Sequence, residues 1–380
     1  MSLAVETAPP AQVLAAIRKP FEVFGGQWVE APVLQPLNQL LDLAGEAIRA
    51  RLFVVEGEGS GALALRPDFT IPVAEAHKAS GQATGRYLYS GKVFRAALPG
   101  TGRAAEVMQI GCELLGPSAD PVSDDAAVAA VAYAAAVEGG RSDLSIHFGD
   151  VSLFAGFLTA LGLPEIAAAR LLRAFSAGQP IERELAAQGA AVETQGRLAG
   201  LLSGLPEAEA AGVLEELWAL AGIQPVGGRG PAEIVHRLAS RGEAARGPRV
   251  SPAEADLIRR YLAVSAFPRI ALDRIEALAR EADATLEHLM EGWTKRLKAL
   301  EAAGAPEAKM TLTAGFVRPF GYYDGLLFEV RSEALGSERA IAGGGRYDAL
   351  PARLGAAPGA VGCMVRPARA WVGKESGAGV

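Results

Sequence analysis

The stretch that decides the fold runs from Leu65 to Gly116: LRPDFT at 65–70, then, after a helical gap, YLYSGKVFRAALPGTGRAAEVMQIGCELLG at 87–116. Pro67 after Arg66 sets a turn. Apolar residues alternate at Tyr87, Tyr89 and Val93, a Gly/Pro loop (PGTGRAAE) follows, and Val107, Gln109, Gly111 and Glu113 alternate after it. Two period-two runs around such a loop predict an antiparallel hairpin. Side chains on a strand alternate, so parity puts Arg95, Gln109 and Glu113 on one face. A guanidinium, an amide and a carboxylate together are unusual for a core and suit an amino acid or a nucleotide.

Working outward, Ile71 to Gly81 predicts a short helix, and LFVVEGEGSGALAL before the turn predicts another hairpin around a Gly-rich loop. Residues 1–20 read as a loose leader ending in a short helix, followed by a turn and short strand and then an amphipathic helix from Leu40 to Arg51, basic at its C-terminal end. On the other side, Ser123 is the expected cap of a long Ala-rich helix ending at Gly139-Gly140. LSIHFGD, Leu144–Asp150, reads as a buried strand, and Val151–Leu161 as a helix. From Pro164 to about Pro268 the strand signals disappear, and Gly- or Pro-stopped helices succeed one another. Arg269–Ala303 carries one or two longer helices. Strands return at Met310, with a second hairpin from GLLFEV and ERAIAGG. The expected division is a core in two parts, 1–163 and 269–373, a helical insertion over 164–268, and a disordered tail at 374–380.

Half of the 380 residues are hydrophobic, and 37 Lys and Arg face 43 Asp and Glu, a net charge of −6. Such a chain can bury a large core and is not disordered over most of its length. Its acidic balance argues against a nucleic-acid partner. Cys112 and Cys363 form no Cys-x-x-Cys and fit a reducing compartment. His77, His147, His236 and His288 are scattered without ligand or triad spacing, so neither a metal nor a cofactor is expected. The start lacks the shape of a signal peptide, and the most apolar run, Ala126–Val137, is too short to span a bilayer. The expectation is a cytoplasmic protein with no membrane partner.

The opening stretch resembles motif 2 of class II aminoacyl-tRNA synthetases in the histidyl-tRNA synthetase version: RPE-x-T, Y-x-G-x-x-FR, GR, Q-x-G-x-E. Here it stands as Arg66-Pro67-Asp68-Phe69-Thr70, Tyr89-Ser90-Gly91-Lys92-Val93-Phe94-Arg95, Gly102-Arg103 and Gln109-Ile110-Gly111-Cys112-Glu113. RPFGYYDGLLFE from Arg318 and AGGGRYDAL from Ala342 resemble the histidine-specific motifs RGLDYYTGTVFE and AGGRYDGL. The resemblance implies an α+β fold, an antiparallel sheet flanked by helices with a helical insertion, and dimerisation through the motif 1 segment. It also implies an amino-acid pocket from Asp68, Thr70, Arg95, Gln109, Glu113, Arg318, Tyr322 and Tyr323. Arg103 and Arg369 would be remnants of a nucleotide site. From the residues alone, Glu113 can accept from an ammonium, Gln109 can orient a polar side chain, and Arg95 or Arg318 can take a carboxylate. Tyr322 and Tyr323 can stack on an imidazole, although strand parity needs only one of them in the pocket. Gly343–Gly345 reads as a tight turn, since the Lys-Ser/Thr of a P-loop is missing.

The chain departs from an active synthetase in four ways. Ala97 stands where a nucleotide-contacting Glu belongs, Ala368 replaces the Glu of GLER before Arg369, Gly321 replaces an Asp, and the anticodon-binding domain is expected to be missing. This combination resembles the regulatory subunits of ATP phosphoribosyltransferase. That resemblance implies a non-catalytic protein that partners a short catalytic subunit in the first step of histidine biosynthesis, with histidine as feedback effector. One rival is a shortened amino-acid-adenylating enzyme. Another is a synthetase fragment that only dimerises with a full enzyme.

Overall fold

The computed structural model describes residues 6–56, 61–96, 103–186, 205–221, 250–318, 320–337 and 339–373. The expectations for 187–204, 222–249 and the tail, and the positions Ala97 and Gly102, lie outside the described residues. In chain order the strands are β1 (Gln27–Trp28), β2 (Leu34–Pro36), β3 (Val54–Val55), β4 (Leu63–Leu65), β5 (Gly85–Phe94), β6 (Glu106–Leu115), β7 (Leu144–Asp150), β8 (Ser265–Ala266), β9 (Met310–Thr313), β10 (Leu326–Ser332), β11 (Ala342–Arg346) and β12 (Ala360–Val365).

Among the described residues, nine of these form one sheet in the order β1-β5-β6-β12-β11-β10-β7-β9-β8, and β2-β4-β3 form a small second sheet. The centre of the large sheet is antiparallel, as expected, and parallel pairs occur at β1 with β5 and at β7 with β9. Parallel neighbours are joined by long crossovers, so no local residue pattern announces them. The hairpin of β5 and β6 has the register that parity requires: Gly91 faces Gln109, Tyr89 faces Gly111 and Tyr87 faces Glu113.

The Ala-rich helix, Pro121–Val137, lies against β10, β11 and β12. Ala129, Ala132, Ala135 and Ala136 are fully buried there. Small side chains let a helix approach a sheet closely. Asp125, just past its first turn, takes Arg296 at 2.9 Å from the helix Glu287–Ala302 and Arg346 at 2.7 Å from β11. This buried triad ties helix, helix and sheet together.

Several expectations are corrected. The N-terminal helix runs Ala11–Phe24 and includes Pro20. Burying Ile17 and Phe21 contributes roughly 3–6 kcal/mol, enough to offset the ~3 kcal/mol cost of an interior proline. The helix expected over Leu40–Arg51 spans Leu37–Ala44 and stops at Gly45, whose φ of 89° no other residue adopts cheaply; a 3-10 turn, Glu46–Arg51, follows. The cap of the Ala-rich helix is Asp120, whose carboxylate accepts from the Ser123 backbone N–H at 3.2 Å, with Pro121 in the first turn.

Within 164–268 the described helices are Glu165–Ser176, Ile181–Ala186, Glu207–Ala221 and Pro252–Leu262, the last opened by a Ser251/Glu254 capping box. The stretch is not wholly helical, because β8 pairs with β9; two residues are too few for a periodic signal. Tyr261 stacks on Phe157 at 4.6 Å, which seats the helix Pro252–Leu262 in the main core. Gly343–Gly345 is no turn but lies in β11, inside the sheet. Among the described residues no helix is long and apolar enough to cross a membrane.

Candidate functional site

A narrow cavity with about 20 Å3 of free volume opens over the middle of the large sheet, room for about one water molecule, so a small metabolite enters it only as the surrounding side chains shift. Its floor is β6 with Gln109 and Glu113, β5 with Tyr89, and β11 and β12 with Gly343, Gly362 and Cys363. The turn before the helix Thr70–Ser80 brings Asp68 and Thr70. Arg95 follows β5 directly, and the irregular segment before β10 brings Arg318, Phe320, Tyr322 and Tyr323. The structure thus gathers all eight residues of the expected amino-acid pocket around one cavity.

Two glycines make the floor possible. A Cβ on Gly362 would overlap the Glu113 carboxylate, and one on Gly343 would overlap the Arg318 guanidinium. Glu113 is held from two sides: Thr70 Oγ1 donates to Oε1 at 3.0 Å and the Tyr347 hydroxyl donates to Oε2. The Tyr89 hydroxyl donates to the Cys363 carbonyl at 3.1 Å. On the facing wall the Tyr322 hydroxyl donates to Asp68 Oδ2 at 3.2 Å, and Arg95 Nε donates to the Pro67 carbonyl at 2.8 Å. Arg318 Nη1 donates to the Phe328 carbonyl at 3.1 Å and to Glu329 Oε1 at 3.2 Å.

Three side chains keep four unmet hydrogen-bonding atoms. Both amide atoms of Gln109, Asp68 Oδ1 and Arg318 Nε are buried with no partner among the described residues. Gln109 is 1% exposed. Leaving an amide in that state costs about 1–3 kcal/mol, so the cavity holds polar capacity that the protein itself does not use.

Burial sets the charges. It pushes the Glu113 carboxyl up to about 8, Asp68 adding to the rise while the Tyr347 and Thr70 hydroxyls oppose it. Burial raises Asp68 as well, with Arg95 opposing. Burial brings Arg95 down to about 10, partly offset by Asp68. Burial works against the Arg318 charge, and Tyr323 and Glu329 outweigh it. An empty cavity near neutral pH therefore carries a protonated Glu113, which an incoming ammonium would ionise.

Both tyrosines line the cavity, with ring centroids 4.8 Å apart, because they sit in a turn and not on a strand. Strand parity therefore never applied to them. Sequence reasoning missed Tyr347 and Tyr89 as cavity residues; Tyr347 was legible in GGGRYD, and Tyr89 shares the strand face of Gln109. Arg103 is exposed, outside the cavity lining, and near enough to Arg51 to depress its charge. Arg369 also lies outside the lining.

A family profile described as Histidyl-tRNA synthetase matches residues 4–226 and 211–369. The ATP phosphoribosyltransferase regulatory subunit of Brucella anthropi is 37% identical over 348 residues, covering 90% of this chain and 92% of the relative. That of Brucella ovis is 36% identical over 351 residues, with 90% and 92% covered. The chain belongs to the family of ATP phosphoribosyltransferase regulatory subunits. Solved structures agree on the fold. An ATP phosphoribosyltransferase regulatory subunit/histidyl-tRNA synthetase from Bacillus halodurans superposes with a TM-score of 0.64 at 20% identity, over 99% of this chain and 84% of that one. Histidyl-tRNA synthetase from Nostoc sp. PCC 7120 gives 0.61 at 16% identity, over 97% and 72%. The architecture is that of the class II synthetase core.

Seen in this regulatory-subunit family, the departures from the synthetase motifs have structural settings. At Gly321 the nearest atom a Cβ would meet is the Ala44 carbonyl at 3.8 Å, so the missing Asp reflects no steric limit. Arg369 sits in the short helix Pro367–Ala370 after β12 and pairs with Glu6 at 2.9 Å.

Proposed function

We propose that this chain is the non-catalytic regulatory member of an ATP phosphoribosyltransferase complex, activating a short catalytic subunit and carrying histidine feedback through the cavity over β6. The observation that carries the reading is Gln109. Its buried amide has both ends unmet, and it stands among carboxylates at Asp68 and Glu113, guanidiniums at Arg95 and Arg318, and two tyrosine rings. A free amino acid with an aromatic, hydrogen-bonding side chain answers each of these groups: ammonium to a carboxylate, carboxylate to a guanidinium, ring to the tyrosines.

Coupling would be allosteric, with histidine favouring one arrangement of the complex by roughly 1–3 kcal/mol. A cytoplasmic setting and self-association as a dimer belong to the same reading. Exposed Trp28, Val33, Leu34 and Val54 offer apolar surface for the dimer contact.

The test measures ATP phosphoribosyltransferase activity of a short catalytic subunit alone, with this protein, and with this protein plus histidine. Strong activation that histidine suppresses is expected. Activation insensitive to saturating histidine would remove the feedback role. No activation, together with histidine-dependent ATP–pyrophosphate exchange by this chain alone, would establish the adenylating alternative.

A further inference from the structure

The chain has two cysteines, 251 positions apart, and the fold sets them face to face. Cys112 on β6 and Cys363 on β12 are direct cross-strand partners, and their sulfurs lie 3.6 Å apart. Both thiols are free and buried, at 0% and 3% exposure. Opposed residues of an antiparallel pair hold their Cα atoms about 4.5–5.5 Å apart, within the roughly 4.4–6.8 Å that a disulfide spans. The backbone is therefore already set for a bond, and small side-chain rotations close the sulfurs to about 2.05 Å.

The thiols lie behind the cavity floor. Glu113 and Gly362, the next residues on the two strands, pair across the same ladder and face the cavity. Alternation turns Cys112 and Cys363 to the opposite face of the sheet, which the Ala-rich helix Pro121–Val137 covers at β12. The Glu113 carboxylate fills the space above Gly362 so closely that a Cβ there would overlap it. A shift of β6 against β12 thus moves Glu113 relative to Thr70 and Tyr347, which hold its two oxygens.

We propose that Cys112 and Cys363 are a disulfide-forming pair oxidised by hydroperoxides, and that the bond weakens ligand binding in the cavity by shifting Glu113. The second half rests on the amino-acid reading of that cavity; the first half stands without it. One sulfur attacks the O–O bond of hydrogen peroxide and becomes a sulfenic acid as water leaves. The other sulfur attacks that sulfur, forms the S–S bond and releases the oxygen as a second water. Both thiol protons end in those waters, so two thiols are oxidised and one peroxide is reduced. Burial pushes the Cys363 thiol well above its ordinary range, so little thiolate is present and the oxidation is slow. In a reducing compartment such a bond is transient and returns to thiols by thiol–disulfide exchange.

The test treats the full chain with hydrogen peroxide, counts free thiols after unfolding, and repeats the count after dithiothreitol. The expected result is loss of both thiols in a chain that stays single under denaturing, non-reducing conditions, with recovery by dithiothreitol. Thiols that persist, a bond between chains, or thiols lost irreversibly as sulfinic acid would each overturn the proposal. Calorimetry then compares histidine binding by the reduced and oxidised forms. The oxidised form is expected to bind at least about fivefold more weakly, with dithiothreitol restoring the affinity. Cys112→Ala, treated in the same way, cannot form the bond and should keep its affinity, which separates the disulfide from methionine oxidation. Cys112→Ser takes its place should Cys112→Ala lose its fold. Equal affinity of the two forms, or an equal loss in the single-cysteine variant, overturns the link to the cavity. A reduced chain that binds no histidine counts against the amino-acid reading, and hydrogen exchange at 109–113 then decides the link. Faster exchange there in the oxidised form is expected, and unchanged exchange overturns it.

Discussion

Replacing Gln109 with methionine should make the empty protein more stable and the ligated protein weaker. Gln109 is 1% exposed and neither amide atom has a partner among the described residues. The unfolded chain hydrates that amide, so folding forfeits about 1–3 kcal/mol there. Methionine has a similar length and volume and no polar amide, and volume-conserving core exchanges lose less than about 1.5 kcal/mol. The net expectation for Gln109→Met is a gain of about 1 kcal/mol in the unfolding free energy without ligand, read from the urea midpoint at unchanged slope. Histidine binding, measured by calorimetry on the same samples, should weaken by about tenfold or more, because ligand groups that met the amide are left unpaired. A Gln109→Met protein less stable than the unsubstituted chain would refute the reasoning: the amide would then be satisfied in the empty state and not reserved for a ligand. Unchanged histidine affinity would refute the pocket reading separately.

Glu113 should make stability fall with pH. Its carboxyl titrates near 8 when folded and near 4.5 when ordinary. Between those values the folded chain holds a proton that the unfolded chain has released, so unfolding free energy declines as pH rises through this window and levels off above it. Glu113→Gln should flatten that decline in a series of urea unfoldings from pH 5 to pH 9, leaving the like-signed parts from Asp68, Asp125 and Asp324; an unaltered pH slope would contradict it. Asp125→Ala should cost about 3–5 kcal/mol, because it strips the shared carboxylate from two largely buried guanidiniums at Arg296 and Arg346. A loss below about 1 kcal/mol in the same unfolding assay would show that Asp348 and the Pro121 carbonyl suffice for Arg346.

How much could be read in advance depended on how local the cause was. The period-two pattern of β5 and β6 gave the hairpin and its register, since alternation is built into strand geometry. The same rule misled at Tyr322 and Tyr323, where the chain turns and both rings face the cavity. Three successive glycines at 343–345 look like a turn, yet they are strand residues because Arg318, the Gly362 carbonyl and the Leu326 carbonyl crowd the places their Cβ atoms would take. Ser123 looks like a cap, but the acceptor is Asp120, one residue before Pro121.

By itself the sequence determined the class II synthetase-like fold and the regulatory-subunit family. It also named the eight polar and aromatic residues that surround the cavity, because motif spacing and side-chain period are properties of short stretches. Only the tertiary structure decided which of those groups are already satisfied. Gln109 is unmet, Glu113 is clasped by Thr70 and Tyr347, and Arg369 is held by a carboxylate from the chain start. The reason is physical: hydrogen-bond satisfaction and the charge of a buried group depend on distances and desolvation among residues hundreds of positions apart. Those distances exist only once the sheet has closed.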